Sequence, residues 1–188
     1  MSAQGAAAPL PADAGAAGET VITTVRLVLT RLVAGDASFI VRLVNDPDWI
    51  RYIGDRGVRT EEDARAYLER GPIAMYARHG FGLWRVARRE DGLPVGMCGL
   101  IKRDTLPDVD VGFAFLPEHR GLGYAAEAAA ATMALASQRY GLRRVVAIAS
   151  PDNARSLRLL EKLGMASEGM TPGSDPDDPT LLYACDLC

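Results

Sequence analysis

Hydrophobic residues alternate with polar or small residues in several short runs, which is the spacing that one face of a β-strand requires. The clearest run is Val109, Val111, Phe113 and Phe115. A continuous apolar segment at 143–150 is typical of a strand that is buried on both faces. The turn sequence Glu90-Asp91-Gly92 lies between two other runs and predicts a hairpin. The remaining predicted strands are residues 25–30, 82–88, 94–102, 165–170 and 180–187.

Helical spacing and capping residues predict the helices that lie between these strands. An Ala-rich run ends at Tyr140, and Gly141 follows it as a left-handed cap. Because this helix connects the runs at 109–116 and 143–150, we expect those two strands to be parallel neighbours. Asn153 is a good N-cap for the helix after the second strand. The other predicted helices are residues 37–44, 48–53 and 60–70, the last ending at Gly71-Pro72. The pattern as a whole predicts an α/β fold.

Residues 120–126 have the composition of an anion-binding turn. They follow a predicted strand, contain Gly121 and Gly123, and lead into the Ala-rich helix. The first N–H groups of a helix lack internal partners, and glycines let the backbone approach a phosphate closely. Arg120 adds a positive charge. We therefore predict that this segment holds a phosphate-bearing ligand.

Composition narrows the classes of function. The 188 residues suit one domain, and a formal charge of −3 gives no general attraction to nucleic acid or to a membrane surface. Three scattered cysteines favour a reducing, cytoplasmic setting, and we expect no metal site. Residues 1–20 are rich in Ala, Gly and Pro and are predicted to be a disordered tail, so the folded domain is predicted at 21–188.

The chain resembles the GCN5-related N-acetyltransferases (GNAT). The resemblance covers about residues 24–187 and rests on Arg120-x-x-Gly123-x-Ala125 at a helix start and on Asn153-x-x-Ser156 before Leu163-Gly164. The opening segment VRLVLTRLVAGDASFI is similar to the branch that acetylates the N-termini of ribosomal proteins. The resemblance implies a mixed, mostly antiparallel sheet with helices on both faces. Its fourth and fifth strands would be parallel and splayed apart, with acetyl-coenzyme A in the gap.

The resemblance also implies roles for individual residues. The cofactor diphosphate would lie on backbone amides of residues 121–125, and the pantetheine arm would pair with the backbone of the preceding strand. Ser156 would protonate the leaving thiolate, and Asp110 would act as the general base through a water molecule, although relatives usually carry Glu there. The implied cofactor-binding residues are Phe113, Phe115, Leu116, Arg120, Gly121, Leu122, Gly123, Tyr124, Ala125, Asn153 and Ser156.

The activity implied is acetyl transfer to a primary amine, either a protein N-terminus or a small molecule, by direct attack in a ternary complex. An α-amine, with a pKa of about 8, needs less help from a base than a lysine, with a pKa of about 10.4. A homodimer is suggested only by the resemblance. Two alternatives stay open: a relative that binds acyl-coenzyme A or a peptide without catalysis, and a dinucleotide-dependent enzyme. The second is suggested because Gly121-x-Gly123-x-x-Ala126 fits the relaxed Rossmann fingerprint.

Overall fold

A single eight-stranded sheet organises the computed structural model, which describes residues 18–171, 177 and 179–188. The strands are β1 (Thr20–Thr23), β2 (Leu27–Arg31), β3 (Leu83–Arg88), β4 (Pro94–Ile101), β5 (Val109–Phe115), β6 (Arg144–Ala149), β7 (Ala166–Met170) and β8 (Leu181–Asp186). The helices are α1 (Ala37–Val44), α2 (Pro47–Tyr52), α3 (Glu61–Leu68), α4 (Ala74–His79), α5 (Tyr124–Tyr140) and α6 (Ala154–Lys162).

The strand order is β1-β2-β3-β4-β5-β6-β8-β7, and every neighbouring pair is antiparallel except β5 and β6. The predicted mixed sheet, its parallel pair and the β3–β4 hairpin are therefore confirmed. The parallel strands are the fifth and sixth of this chain, since the additional strand β1 precedes them. Thr20, the first residue of β1, pairs with Thr30. Most of the predicted tail, residues 1–17, lies outside the described residues, so the disorder expected there stays a prediction.

Helices cover both faces of the sheet, because successive side chains of a strand point to opposite sides. Phe113 packs in a core with Ala128 and Ala129 of α5 and Leu160 of α6. The next residue, Ala114, packs on the other face against the core that α1 and α3 form. An apolar layer therefore packs on each face of the sheet. The cleft described below lies between β5 and β6, where these two strands diverge.

The predicted end of the third helix was wrong. The chain does not stop at Gly71-Pro72 but passes through a wide π-helical segment, Glu69–Ile73, into α4. Pro72 has no N–H to donate, and a π-turn is a known way to absorb such a defect inside a helix. Continuation buries Pro72 and Tyr76, and the helix ends at Gly80, whose φ is +76°.

Candidate active site

The cleft opens because β5 and β6 pair over only two residues. Val109 pairs with Val145 and Asp110 with Val146, and beyond Asp110 the two strands diverge. Strand β5 continues along β4 as far as Phe115, and β6 continues along β8 as far as Ala149. The gap between them forms part of a cavity of about 560 Å³. Its walls come from α2, the end of β5, the glycine turn, the start of α5 and α6.

Nine of the predicted site residues line this cavity. They are Phe113, Phe115, Arg120, Gly121, Gly123, Tyr124, Ala125, Asn153 and Ser156. The other three, Asp110, Leu116 and Leu122, do not belong to the lining.

The glycine turn has the conformation that only glycine adopts easily. Gly121 and Gly123 have φ values of +75° and +82°. Gly123 is the N-cap of α5, and its carbonyl accepts the first helical hydrogen bond, from the Glu127 amide. The amides of Tyr124, Ala125 and the next residue therefore have no partner within the helix, and these residues line the cavity. A Cβ at Gly121 would have open space for 4 Å around it. The turn fits a diphosphate pressed against the backbone.

The guanidinium of Arg120 is bound to carboxylates of the protein. Its two terminal nitrogens donate to Asp48 Oδ2, at 2.6 Å, and to Asp46 Oδ1. Its Nε donates to the carbonyl oxygen of Phe115 at 2.8 Å. Arg120 therefore joins the N-terminus of α2 to the end of β5 and braces the cavity wall. The two aspartates offset the charge that the sequence suggested for ligand binding.

The backbone of β5 presents every second residue to the gap. The Leu116 amide donates to Val95 on the β4 side, at 2.9 Å. Because backbone groups alternate in direction along a strand, those of Phe113 and Phe115 face away from β4, toward the gap. The contact between Arg120 and the Phe115 carbonyl agrees with this direction. Both backbone groups of Leu116 are hydrogen-bonded within the protein, since its carbonyl accepts from the His119 amide at 3.0 Å, and its side chain is buried, so its cofactor contact stays a prediction.

Asn153 and Ser156 meet at the start of α6. The side-chain oxygen of Asn153 accepts a hydrogen bond from the Ser156 amide at 3.1 Å, which confirms the predicted N-cap. Both residues are half-buried and line the cavity. The cap fixes the first turn of α6 and thereby holds Ser156 at the wall of the cleft.

Asp110 lies at the point where β5 and β6 part. Its side chain is buried, and its Oδ2 accepts from Arg103 Nε at 2.6 Å. Burial raises the pKa of Asp110, while Arg103 and the Ile148 amide act in the opposite direction. The strand rise of about 3.3 Å per residue puts Asp110 roughly 10 Å from Phe113, the nearest β5 residue in the lining.

Several lining residues were not assigned a site role from the sequence. Trp49 and Tyr52 contribute an aromatic wall from α2, and Arg155 of α6 lies 3.7 Å from Asp48 across the cleft. Trp49 is buried, and its indole nitrogen has no hydrogen-bond partner among the described residues. His119 also lines the cavity, and burial lowers its pKa, although Glu118 acts in the opposite direction. From the sequence, an aromatic residue that lines a cavity has the same helical spacing as one that packs in the hydrophobic core, so the two could not be distinguished.

The family model described as "Acetyltransferase (GNAT) domain" matches residues 26–166. The chain belongs to the GNAT acetyltransferase family. A curated relative, the uncharacterized N-acetyltransferase YnaD of Bacillus subtilis, is 29% identical over 148 residues, which are 79% of this chain and 84% of the relative. The family assignment makes this chain an acetyltransferase, and it supports the use of an acyl-coenzyme A donor and an amine acceptor.

Solved structures of this acetyltransferase family have the same fold. The acetyltransferase from Bacillus anthracis has a TM-score of 0.74 and 28% identity, over 88% of this chain and 97% of that one. RimL, a ribosomal L7/L12 alpha-N-protein acetyltransferase in complex with coenzyme A, has a TM-score of 0.77 and 17% identity, over 90% and 98% of the two chains. This fold excludes the Rossmann alternative, because a Rossmann sheet is mostly parallel and this sheet has a single parallel pair among the described strands.

Within residues 18–171, 177 and 179–188, no helix is long and apolar enough to span a membrane. No group of three or more potential metal-ligating side chains occurs in the same residues.

Proposed function

We propose that this acetyltransferase moves an acetyl group from acetyl-coenzyme A to a primary amine, in a ternary complex and without a covalent acetyl-enzyme. The observation that carries the proposal is the continuity of the cavity. One cavity joins the residues at the start of α5, the open edge of β5 and Ser156. A single extended ligand can therefore contact all three features at once.

The cofactor diphosphate would be held by backbone amides of residues 121–125, where the partial positive charge of a 17-residue helix adds to the N–H donors. The pantetheine arm would pair with the β5 backbone at Phe113 and Phe115, which faces the gap. Asn153 would approach the same arm from α6. Arg120 would act by bracing this wall rather than by meeting a phosphate directly, since its guanidinium is already paired.

Acetyl-coenzyme A supplies an activated acetyl group, and the protein has to stabilise an oxyanion and protonate the departing sulfur. The Phe115 amide, which faces the gap, would donate to the oxyanion. The Ser156 hydroxyl would supply the proton to the thiolate. Among the described residues, no other side chain or backbone group holds the Ser156 hydroxyl in a hydrogen bond.

The acceptor must lose a proton before it attacks. An α-amine, with a pKa of about 8, reaches its neutral form more easily than a lysine does. Asp110 would take the proton through a water molecule, because it lies outside the cavity lining. We propose a protein N-terminus as the acceptor, as in the ribosomal-protein branch, with small-molecule amines as the second class. The cytoplasm is the proposed setting.

Release of free thiol from acetyl-coenzyme A tests the proposal. Purified protein is incubated with the cofactor and with a panel of N-terminal peptides, lysine-bearing peptides, polyamines and aminoglycosides. We expect thiol release that depends on the amine. When both substrates are varied, the double-reciprocal plots of the initial rate should give lines that intersect. Parallel lines would contradict a ternary complex. Cofactor binding without thiol release for any amine would contradict the proposed transfer.

A further inference from the structure

We propose that Arg26 is a positioning residue of the cofactor site, which holds the glycine turn in the conformation that binds the diphosphate. The inference rests on the proposed function, since it assumes that the turn is a diphosphate site. Arg26 lies between β1 and β2, far from the turn in sequence, and neither its spacing nor its neighbours predict the contact.

Arg26 makes four contacts with the turn and the first turn of α5. Its Nη1 donates to the carbonyl oxygen of Leu122 at 2.8 Å, and its Nε donates to Glu127 Oε2 at 2.7 Å. The Arg26 amide donates to Glu127 Oε1 at 2.8 Å. The guanidinium carbon lies 4.7 Å from the centre of the Tyr124 ring. The Arg26 side chain therefore contacts three groups of this segment: the Leu122 carbonyl, the Glu127 carboxylate and the Tyr124 ring.

The contact with Leu122 sets the direction of an amide. The carbonyl of Leu122 and the N–H of Gly123 belong to one planar trans peptide, so they point in opposite directions. Arg26 draws the carbonyl to its own side, which leaves the Gly123 N–H pointing away from it. Gly123 lines the cavity and Leu122 does not. By holding the Leu122 carbonyl, Arg26 therefore also fixes the direction in which the Gly123 N–H can donate to the ligand.

The carboxylate of Glu127 needs a cation beside it. Its carboxylate lies in the first turn of α5, where it would repel a phosphate. Burial tends to raise the pKa of Glu127, but hydrogen bonds from Thr24 and Arg26 lower it below its ordinary value. Glu127 therefore stays ionised, and Arg26 offsets its charge beside the anion site. The terminal nitrogen Nη2 of Arg26 lies 3.2 Å from the position a Cβ would take on Gly123.

This arrangement reverses the roles of the two arginines. Arg120 is adjacent to the turn in sequence but is paired with two aspartates of the α2 region. Arg26 is remote in sequence but contacts the turn itself, and its side chain is 45% exposed. Both arginines are paired with carboxylates, but only Arg26 contacts the backbone of the turn, through the Leu122 carbonyl.

Binding measurements on Arg26→Ala test this role, with Arg31→Ala as the matched control. Arg31 lies at the other end of β2, pairs with one carboxylate, of Glu19, and contacts one ring, of Tyr76. It therefore matches Arg26 in having one carboxylate partner and one ring contact, but its contacts lie away from the turn. Coenzyme A and a pantetheine thioester, which lacks the diphosphate, are titrated by calorimetry against the wild type and each variant.

We expect Arg26→Ala to weaken the affinity for coenzyme A about tenfold to 150-fold, the range for losing one charged hydrogen bond. The pantetheine thioester should bind within about twofold of wild type, as should both ligands with Arg31→Ala. Arg26→Lys keeps the charge but cannot hold Leu122 and Glu127 together, so its affinity for coenzyme A should be intermediate. This milder variant also decides the question if Arg26→Ala fails to fold.

Unchanged affinity of the Arg26 variants for coenzyme A would overturn the inference. So would equal losses for coenzyme A and the pantetheine thioester, since these would indicate general damage to the cleft. If the wild type itself bound no coenzyme A, the proposed function would fail together with the inference. The first two outcomes leave the proposed function intact, so the two failures are distinguishable.

Discussion

Replacement of Gly123 by alanine separates the anion site from the ordinary cost of a strained turn. Gly123 has a φ of +82°, and Gly164, at the end of α6, has a φ of +81°. Alanine in this left-handed region lowers the unfolding free energy by about 1–2 kcal/mol through backbone strain. Because alanine restricts the unfolded chain, it raises the unfolding free energy by about 0.4–1 kcal/mol. A Cβ at Gly164 meets nothing within 4 Å, whereas at Gly123 it would lie 3.2 Å from Nη2 of Arg26, which would have to shift. We therefore expect Gly164→Ala to lose about 1 kcal/mol of unfolding free energy and Gly123→Ala to lose at least as much.

Only the Gly123 variant should lose affinity for coenzyme A. Gly123 lines the cavity and Gly164 does not, although the backbone strain is the same. The new methyl group would press on Nη2 of Arg26, which holds the turn. If the turn thereby loses one amide donor to the phosphate, a charged hydrogen bond of about 1.5–3 kcal/mol is lost, which is roughly a tenfold to 150-fold weaker Kd. Gly123→Glu, which adds a carboxylate, should abolish measurable binding.

Urea denaturation measures the stability of the two alanine variants, and calorimetry measures the affinity. Equal loss of affinity in Gly123→Ala and Gly164→Ala would trace the effect to stability alone. Wild-type affinity in Gly123→Ala would remove the diphosphate from this turn and would refute the reasoning.

Three further predictions concern titratable and hydroxyl groups of the cleft. Ser156→Ala should lower kcat about a hundredfold while the Kd of coenzyme A changes little; an unchanged kcat in steady-state assays would end the proposed role of its hydroxyl. Asp110→Asn should abolish the acid limb of the pH–rate profile, and a limb that persists would assign the base to water or to another group. The pKa of His119 lies below its unfolded value of about 6.5, so the stability that its neutral form gives is complete above pH 6.5 and is lost as pH falls toward the folded pKa. His119→Gln should therefore flatten the fall in unfolding free energy between pH 7.5 and 5; a fall as steep as that of the wild type in urea titrations would contradict the shift.

The sequence by itself determined the features that depend on local spacing. Alternation at Val109 to Phe115, the glycines of the turn and the Asn153 cap each act within a few residues, so their elements could be predicted almost to the residue. The boundary at Gly71-Pro72 was wrong because burial of Tyr76 outweighs the local preference of glycine and proline to end a helix.

Tertiary structure alone decided which charged side chains contact the glycine turn. Arg120 appeared free from its sequence neighbours, but it is paired with carboxylates 72 and 74 residues away. Arg26 carried no local signal, but it reaches Glu127 across 101 residues. Coulomb attraction and hydrogen bonds depend on distance in space, and the sheet brings these groups together only after β2, β5 and α5 have packed. The pattern of residues therefore predicted the segment proposed to bind the ligand, and the packed fold determined which side chains contact that segment.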